Sequence, residues 1–191
     1  MENLESYKLI KKQNDFLIND RHLYVASIIK ELFNPMQHKN LCEIGAGNFE
    51  LATILAASYQ SIDAYEMYPE CSSKHKISNL RIYSSFSRYT NVSNYQLLIS
   101  VCPYYYAYDI FDDIDTEMVT KNLVTDILDM SIDKNIDSFI ILSATSSSDA
   151  VMKEVETRNK YAKFGHDDIN LIYERNGKIN NSNNKVLIYK Q

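Results

Sequence analysis

The hydrophobic pattern of the chain changes near residue 40, and the change separates two kinds of structure. Residues 1–38 carry apolar side chains three and four positions apart, which predicts helix, and the pair Asn34-Pro35 ends the pattern. From residue 40 onward, short apolar runs alternate with stretches of about ten to twenty residues that have helical potential. This alternation is typical of βαβ units, so we predict an α/β protein with a mostly parallel sheet and helices on both of its faces.

Seven apolar runs are predicted to be the strands of this sheet. They cover residues 40–44, 61–66, 80–83, 95–101, 138–144, 169–174 and 185–190. The predicted helices between them cover residues 48–58, 69–77, 116–133 and 149–164. The last two runs are joined by the polar stretch 175–184, which leaves no room for a crossover helix, so these strands are predicted to form an antiparallel hairpin.

The chain is predicted to be one domain, because 191 residues lie within the usual size of one domain and no composition break divides them. Residues 1–38 form a helical N-terminal extension, and residues 39–191 form the α/β core. We expect the extension to fold over the ligand site, with packing on an outer sheet face or a homodimer contact as alternatives. The apolar residues of the extension that we expect to be buried include Leu9, Phe16, Leu23 and Phe33.

The charge balance is acidic, with 20 Lys and Arg against 25 Asp and Glu, and it disfavours nucleic acid and anionic membranes as partners. The chain starts without the apolar region of a secretion signal, and it has no run of about 18 apolar residues, so we expect a cytoplasmic protein. Clustered basic residues are interpreted as solvated helix faces. They are Lys8, Lys11, Lys12, Lys74, Lys76, Arg81 and Arg88.

The cysteines and histidines carry no pattern of a metal site or of a disulfide framework. Cys42, Cys71 and Cys102 are odd in number and lack C-x-x-C spacing, and the four histidines share no ligand-like spacing. Cys42 and Cys102 lie in apolar runs, which is typical of a buried thiol. We therefore expect no metal.

Two of the four glycines, Gly45 and Gly47, directly follow the first predicted strand. A glycine pair at the exit of a first parallel strand lets the backbone turn sharply and approach a ligand closely. Glu66 lies 19 residues after Gly47, at the end of the second predicted strand, where a carboxylate can accept hydrogen bonds from both hydroxyls of a ribose. Together these residues predict a nucleotide-type ligand at the carboxyl end of the sheet.

The segment Glu43-Ile-Gly45-Ala-Gly47, followed by Glu66 and by seven strands that end in an antiparallel hairpin, resembles the class I S-adenosylmethionine-dependent methyltransferases. The resemblance covers residues 38–190, and Phe49 stands at the third small position of the family's glycine motif. It implies a Rossmann-like sheet, S-adenosylmethionine as the cofactor and methyl transfer as the activity.

The resemblance also implies roles for residues at the ends of the first three strands. Glu43 orients the loop or meets the methionine amino group, and Glu66 holds the ribose diol. The other residues that it implies border the methionine moiety or the adenine. They are Gly45, Ala46, Gly47, Met67, Ser85 and Phe86.

A tyrosine-rich stretch, "SVCPYYYAYD" at 100–109, follows the fourth predicted strand, where open α/β sheets bind their ligands. Its segment Cys102-Pro103-Tyr104-Tyr105 is similar to the N-P-P-Y loop of amino-methyltransferases, which implies that Tyr104 and Tyr105 contact the substrate. Ser100 and Cys102 then replace the leading Asn of that loop. In the alternative, the tyrosines pack the loop against the N-terminal helices, because tyrosine serves both roles.

The function we expect is methyl transfer to a small molecule or a protein side chain, with an amine as a candidate acceptor. Aminocarboxypropyl transfer, the chemistry of nicotianamine synthase, and a non-catalytic S-adenosylmethionine-binding module are the alternatives. The sulfonium of the cofactor is already activated, so positioning of the acceptor supplies much of the rate. For that reason the sequence does not identify the acceptor.

Overall fold

Seven strands form one sheet in the computed structural model of the chain, which describes residues 18, 20–66, 77–84, 86–102, 116–143, 152–153, 164–175 and 178–190. In chain order the strands are β1 (Asn40–Ile44), β2 (Ser61–Tyr65), β3 (Leu80–Tyr83), β4 (Leu97–Val101), β5 (Asp137–Ser143), β6 (Phe164–Arg175) and β7 (Lys178–Tyr189). The helices with described bounds are α1 (Asp20–Leu32), α2 (Glu50–Ala56) and α3 (Thr116–Lys134).

The strands follow the order β3-β2-β1-β4-β5-β7-β6 across the sheet. The first five strands in this order are parallel to one another, whereas β7 pairs antiparallel with both β5 and β6. The predicted α/β fold, with a mostly parallel sheet and an antiparallel C-terminal hairpin, is confirmed. Because the chain runs outward from β1 on one side and from β4 on the other, the carboxyl ends of β1 and β4 form the switch point where such sheets bind ligands.

Helices cover both faces of the sheet, as the sequence predicts. Alternate residues of a strand point to opposite faces, so each central strand contributes to two apolar cores. On one face Leu41 and Ile99 pack with Ile29 of α1 and Leu55 of α2. The other core contains Cys42, Leu98 and Ile140 from the strands and Val124, Ile127 and Leu128 from α3.

The described part of the N-terminal extension includes α1, which packs beside α2 on the sheet. Phe33, just after α1, is buried, and its carbonyl accepts a hydrogen bond of 2.7 Å from the Tyr59 hydroxyl. Nζ of Lys190 donates to the carbonyl of Leu32 at 3.0 Å. The expected burial is wrong for Leu23, which is 51% exposed on the outer side of α1. The other expected members, at positions 9 and 16, lie outside the described residues.

The C-terminal hairpin is longer than predicted. The structure pairs Ile169–Arg175 with Lys178–Asn184, so the connection shrinks from 175–184 to the Asn-Gly pair at 176–177. Asn-Gly is the most favoured sequence for a two-residue hairpin connection, and polar side chains do not prevent backbone pairing. In addition, β6 begins at Phe164, where the predicted helix 149–164 was expected to end.

Smaller corrections concern element ends and basic residues. The helix predicted at 48–58 is confined to Glu50–Ala56, and β4 begins at Leu97 rather than at residue 95. Arg81 lies in β3 and Arg88 in the loop after it, so the helix-face interpretation is wrong for both. The helix predicted at 69–77, apart from residue 77, lies outside the described residues, as do the clustered lysines. None of the described helices is long and apolar enough to cross a membrane.

The Tyr59 hydroxyl provides a test of how α1 is held. Replacing Tyr59 by Phe leaves the buried Phe33 carbonyl without its donor, and we expect a loss of about 1–2 kcal/mol in the free energy of unfolding. Urea denaturation measures this loss. Lys190→Met is the control, because Lys190 is exposed and its loss is expected to cost less than about 0.5 kcal/mol. Equal effects of the two variants would contradict this description of the α1 anchor.

Candidate functional site

The loop after β1 alternates between ordinary and left-handed backbone. Gly45, Gly47 and Phe49 have φ angles of 74°, 58° and 66°. The amides of Gly45 and Ala46 both donate to the carbonyl of Tyr65, at 2.9 and 3.0 Å, which ties the loop to the end of β2. Left-handed backbone is costly for residues with a Cβ, so the two glycines stand at positions where the turn requires them.

The Glu66 carboxylate closes this loop from the side of β2. Its Oε2 atom accepts a hydrogen bond of 2.9 Å from the amide of Gly47, and the Glu66 amide donates to the carbonyl of Tyr83 at 3.0 Å. A Cβ placed on Gly47 would meet no atom of the described residues within 4 Å. The space beside Gly47 is therefore open to a ligand that also reaches Glu66.

Phe49 shows how the chain departs from the family's glycine motif. Its backbone is left-handed, as a glycine there would allow, but its ring is fully buried in the core that includes α1 and α2. Its carbonyl accepts the first hydrogen bond of α2, from the Thr53 amide at 2.9 Å. The departure therefore changes the packing under the loop and keeps a left-handed backbone at this position.

Glu43 is a buried carboxyl group in the strand that leads into the loop, and only 3% of its surface is exposed. Its pKa is raised to about 8, mainly by burial and also by the carboxylates of Glu50 and Glu66, although a hydrogen bond from the Ala52 amide lowers it. Its Oε2 atom has no hydrogen-bond partner among the described residues. At neutral pH the group is therefore mostly protonated.

The end of β4 is fixed to its neighbours by Ser100 and Cys102. The buried Ser100 hydroxyl donates to the carbonyl of Ile44 at 2.8 Å, which joins β4 to the end of β1. Cys102 has a φ of 48°, and its amide donates to the carbonyl of Ile141 at 2.9 Å. A left-handed cysteine is a strained conformation, which persists only where the surroundings enforce it.

The helical extension reaches the same edge through Arg21 of α1. Its Nη2 atom donates to Sγ of Cys102 at 3.0 Å, and the Cys102 thiol lies 4.0 Å from Oδ1 of Asn184 in β7. Burial raises the pKa of the Cys102 thiol, and the nearby guanidinium opposes that shift. One residue of the extension thus contacts the expected acceptor side of the site.

Three aromatic rings lie at the ends of β2 and β3, beside Glu66. Tyr65 and Tyr83 are stacked with ring centroids 4.9 Å apart, and Phe86 meets Tyr65 edge-on at 5.3 Å. The Tyr65 hydroxyl lies 3.5 Å from that of Tyr95, which donates to Oδ2 of Asp63 at 2.6 Å. This buried contact restrains the ring of Tyr65, against which Tyr83 and Phe86 pack.

The structure brings part of the predicted site together. Five predicted cofactor-binding residues lie at the carboxyl ends of β1 and β2, namely Glu43, Gly45, Ala46, Gly47 and Glu66. Phe86 follows β3, and Ser100 and Cys102 lie at the end of β4. The remaining predicted residues, Met67, Ser85, Tyr104 and Tyr105, lie outside the described part of the chain. The ligand-binding roles of all these residues stay predictions.

Sequence reasoning missed Arg21, Tyr65 and Tyr83. No local signal marks Arg21, because it is 81 residues from Cys102 in the chain. Tyr65 and Tyr83 share a signal that was available, an aromatic residue at the last position of each of two neighbouring strands. The part of the chain that the structure describes contains no group of three or more His, Cys, Asp or Glu residues that could hold a metal.

Solved structures similar to this chain include several methyltransferases. A SAM-dependent methyltransferase from Anabaena variabilis has a TM-score of 0.62 and 12% identity, covering 100% of this chain and 94% of that chain. The N-methyltransferase NodS from Bradyrhizobium japonicum, in complex with S-adenosyl-L-homocysteine, has a TM-score of 0.57 and 10% identity, covering 91% and 89% of the two chains. Precorrin 8w decarboxylase from Methanobacterium thermoautotrophicum has a TM-score of 0.58 and 13% identity, covering 92% and 100%.

These similarities are structural. Neither a protein-family model nor a curated protein sequence matches the chain. At identities of 10–13% the likeness shows the fold alone. The predicted resemblance to class I S-adenosylmethionine-dependent methyltransferases is confirmed at that level.

Because the backbone of Phe49 is left-handed, we expect its glycine variant to be at least as stable as its alanine variant, the reverse of the order at an ordinary position. Phe49→Ala removes a buried ring and is expected to cost about 3–5 kcal/mol. Phe49→Gly loses the same ring but adopts the positive φ without strain, so it is expected to be at least as stable as Phe49→Ala. Urea denaturation compares the two.

The matched control for Phe49 is Phe139, another buried ring, in the ordinary backbone of β5. There the glycine variant is expected to be less stable than the alanine variant by about 0.5–1 kcal/mol. If both positions show this ordinary order, Phe49 does not hold the left-handed conformation.

The raised pKa of Glu43 predicts that the folded protein loses stability as pH rises. Its pKa in the folded protein is about 8, against an ordinary value of 4.5, so between these values the folded chain binds more protons than the unfolded chain. The free energy of unfolding should then fall by up to about 1.4 kcal/mol per pH unit. Glu43→Gln should remove this dependence, with stability near that of the parent at pH 5 and higher at pH 8. If the free energies of unfolding of the parent and of Glu43→Gln change equally from pH 5 to pH 8, Glu43 ionises normally in the folded protein.

Proposed function

We propose that the protein binds S-adenosylmethionine and transfers its methyl group to a small molecule or a protein side chain, with an amine as a candidate acceptor. The hydrogen bond between Gly47 and Glu66 carries the proposal. It places a carboxylate beside the open face of a glycine loop, at the switch point of a sheet with the order β3-β2-β1-β4-β5-β7-β6. The fold of the similar structures supports it, since their printed descriptions include methyltransferases.

The described residues fit such a cofactor. A carboxylate can accept several hydrogen bonds at once, and Glu66 lies against the glycine loop through its bond from Gly47, so Glu66 would hold the ribose diol. The open space beside Gly47 would admit the sugar and the methionine moiety. Phe86 and the stacked Tyr65 and Tyr83 offer an apolar surface for the adenine.

The cofactor, when bound, supplies an activated methyl group on a sulfonium, so the protein has to bind, orient and exclude water. Ser100 holds the end of β4 against β1 and keeps the two sides of the switch point at a fixed distance. Arg21 and Cys102 join α1 to the end of β4 and close one side of the acceptor region. None of Ser100, Arg21 and Cys102 is proposed to transfer a proton.

Calorimetric titration tests the binding step. We expect saturable binding of one S-adenosylmethionine or one S-adenosylhomocysteine per chain, and no comparable binding of NAD. Absence of heat with millimolar ligand would contradict the proposal. Product analysis then tests the reaction, because methyl transfer yields S-adenosylhomocysteine. Methylthioadenosine as the product would instead show aminocarboxypropyl transfer, and binding without turnover across a metabolite panel would favour a binding module.

Two substitutions test the assigned site. Glu66→Ala removes the acceptor for the ribose hydroxyls and is expected to weaken cofactor binding by about 1–3 kcal/mol. Gly47→Val puts a branched side chain into the open space and imposes a left-handed φ on a residue that resists it, so binding should be abolished. Calorimetry measures both effects, and circular dichroism checks that each variant is folded.

The control for these variants is Glu31→Ala, because Glu31 is an exposed carboxylate on α1. It is expected to bind the cofactor as the parent does. If Glu66→Ala and Gly47→Val also bind normally, the ligand lies elsewhere on the fold.

A further inference from the structure

Glu43 is buried in a way that an ionised carboxylate tolerates poorly. The residue is 3% exposed, and the Ala52 amide is the hydrogen-bond donor that its carboxyl group meets in α2. The other carboxyl oxygen, Oε2, has no partner among the described residues. An ionised carboxylate without full hydrogen bonding is costly to bury, so geometry alone favours the neutral form.

Among the residues that the structure describes, the charged groups that act on Glu43 are also carboxylates. Glu50 lies in the first turn of α2, and Glu66 lies at the end of β2, where it closes the glycine loop. On the opposite side of β1, β4 (Leu97–Val101) has no titratable side chain. Within β1, the neighbouring Cys42 is a buried thiol whose pKa is raised by burial, by Asp63 and by Glu43 itself. Cys42 and β4 thus supply no positive charge, and the carboxylates of Glu50 and Glu66 disfavour a negative charge on Glu43.

A positive charge near the loop would reverse this balance. An opposite charge within about 4–6 Å of a carboxyl group lowers its pKa by about 1–3 units. S-adenosylmethionine carries two positive groups, its sulfonium and its ammonium. The open space beside Gly47 is where the proposed function puts the methionine part of this ligand.

We propose that Glu43 is a specificity-determining residue that makes ligand binding proton-coupled: its carboxyl group is neutral in the ligand-free protein, and a cationic group of the ligand displaces its proton. The inference rests on the proposed function, because that function supplies the cationic ligand. The proton passes to the solvent, and no covalent bond is made or broken. The site would thus select a ligand by its positive charge as well as by its adenosine.

The proposal predicts a proton count that calorimetry can measure. The wild-type chain is titrated with S-adenosylmethionine at pH 6.5 in buffers of low and high ionisation enthalpy, such as phosphate and imidazole. At this pH an α-amino group is already protonated and contributes little. From a pKa of about 8, a fall of about 1–3 units on binding then releases roughly 0.2 to 0.9 proton per ligand.

Three ligands separate the sources of positive charge. S-adenosylhomocysteine retains the ammonium but lacks the sulfonium, and methylthioadenosine lacks both groups. We expect proton release with S-adenosylmethionine and none with methylthioadenosine. S-adenosylhomocysteine then shows which cation acts, because release equal to that of S-adenosylmethionine assigns the ammonium and no release assigns the sulfonium.

Two variants complete the test. Glu43→Gln should bind S-adenosylmethionine without releasing a proton, whereas Glu31→Gln, on the exposed side of α1, should release as many as the parent. If Glu43→Gln does not fold, the pH dependence of the parent's ligand affinity is measured instead. The affinity for S-adenosylmethionine should rise between pH 6 and pH 7.5, whereas the affinity for methylthioadenosine should not change.

Binding without proton release, or release that persists in Glu43→Gln, would overturn the proposal and leave the proposed function standing. A pH-independent affinity of the parent chain would overturn it in the same way. Failure of all three ligands to bind would instead refute the proposed function.

Discussion

The hydrogen bond from the Gly47 amide to the Glu66 carboxylate constrains the carboxyl ends of β1 and β2, on which the proposed site depends. It can form only if the chain turns back after β1, which the left-handed Gly45 and Gly47 permit. It also requires β1 and β2 to be adjacent and parallel, so that the end of β2 lies beside the loop. The same turn leads into α2 at Glu50, and α1 packs with α2 in one core. A local contact thus links the topology of the sheet to the place where a ligand can bind.

Among the described residues, the charges at this edge are divided between its two sides. Glu43, Glu50 and Glu66 are gathered around the loop between β1 and α2, where they interact with one another. Arg21 lies at the end of β4, against Cys102. Under the proposed function, the acidic side faces the cationic cofactor and the basic side faces the acceptor. The burial of Glu43 then becomes understandable, because a carboxyl group that is costly to ionise in the free protein can respond to a cation.

The sequence predicted the sheet well because its signals are local. β3 has the predicted bounds, 80–83, and the β1–β2 region follows from a glycine pair and an acid at fixed spacing. The hairpin was underestimated because the Asn-rich segment 178–184 carries no apolar pattern, although its backbone pairs in β7. Leu23 was expected to be buried from its periodicity, but periodicity does not tell which side of α1 a neighbour covers.

The site was predictable only in part, because some of its contacts join residues that are far apart in the chain. The contact between Arg21 and Cys102 depends on how α1 docks, and the end of α1 is bonded to Tyr59 and Lys190, which are distant from it in the chain. Phe49 is a different case. Its identity departs from the glycine motif, yet its backbone follows the left-handed path, and no rule of local sequence predicts that an aromatic residue accepts this conformation.

A crystal structure of the protein with S-adenosylhomocysteine tests the central claim most directly. The account predicts that the ligand lies beside Gly47, with both ribose hydroxyls bonded to Glu66 and the homocysteine part toward the end of β1. A ligand bound away from the ends of β1 and β2, with the site around Gly47 and Glu66 holding none, would contradict it.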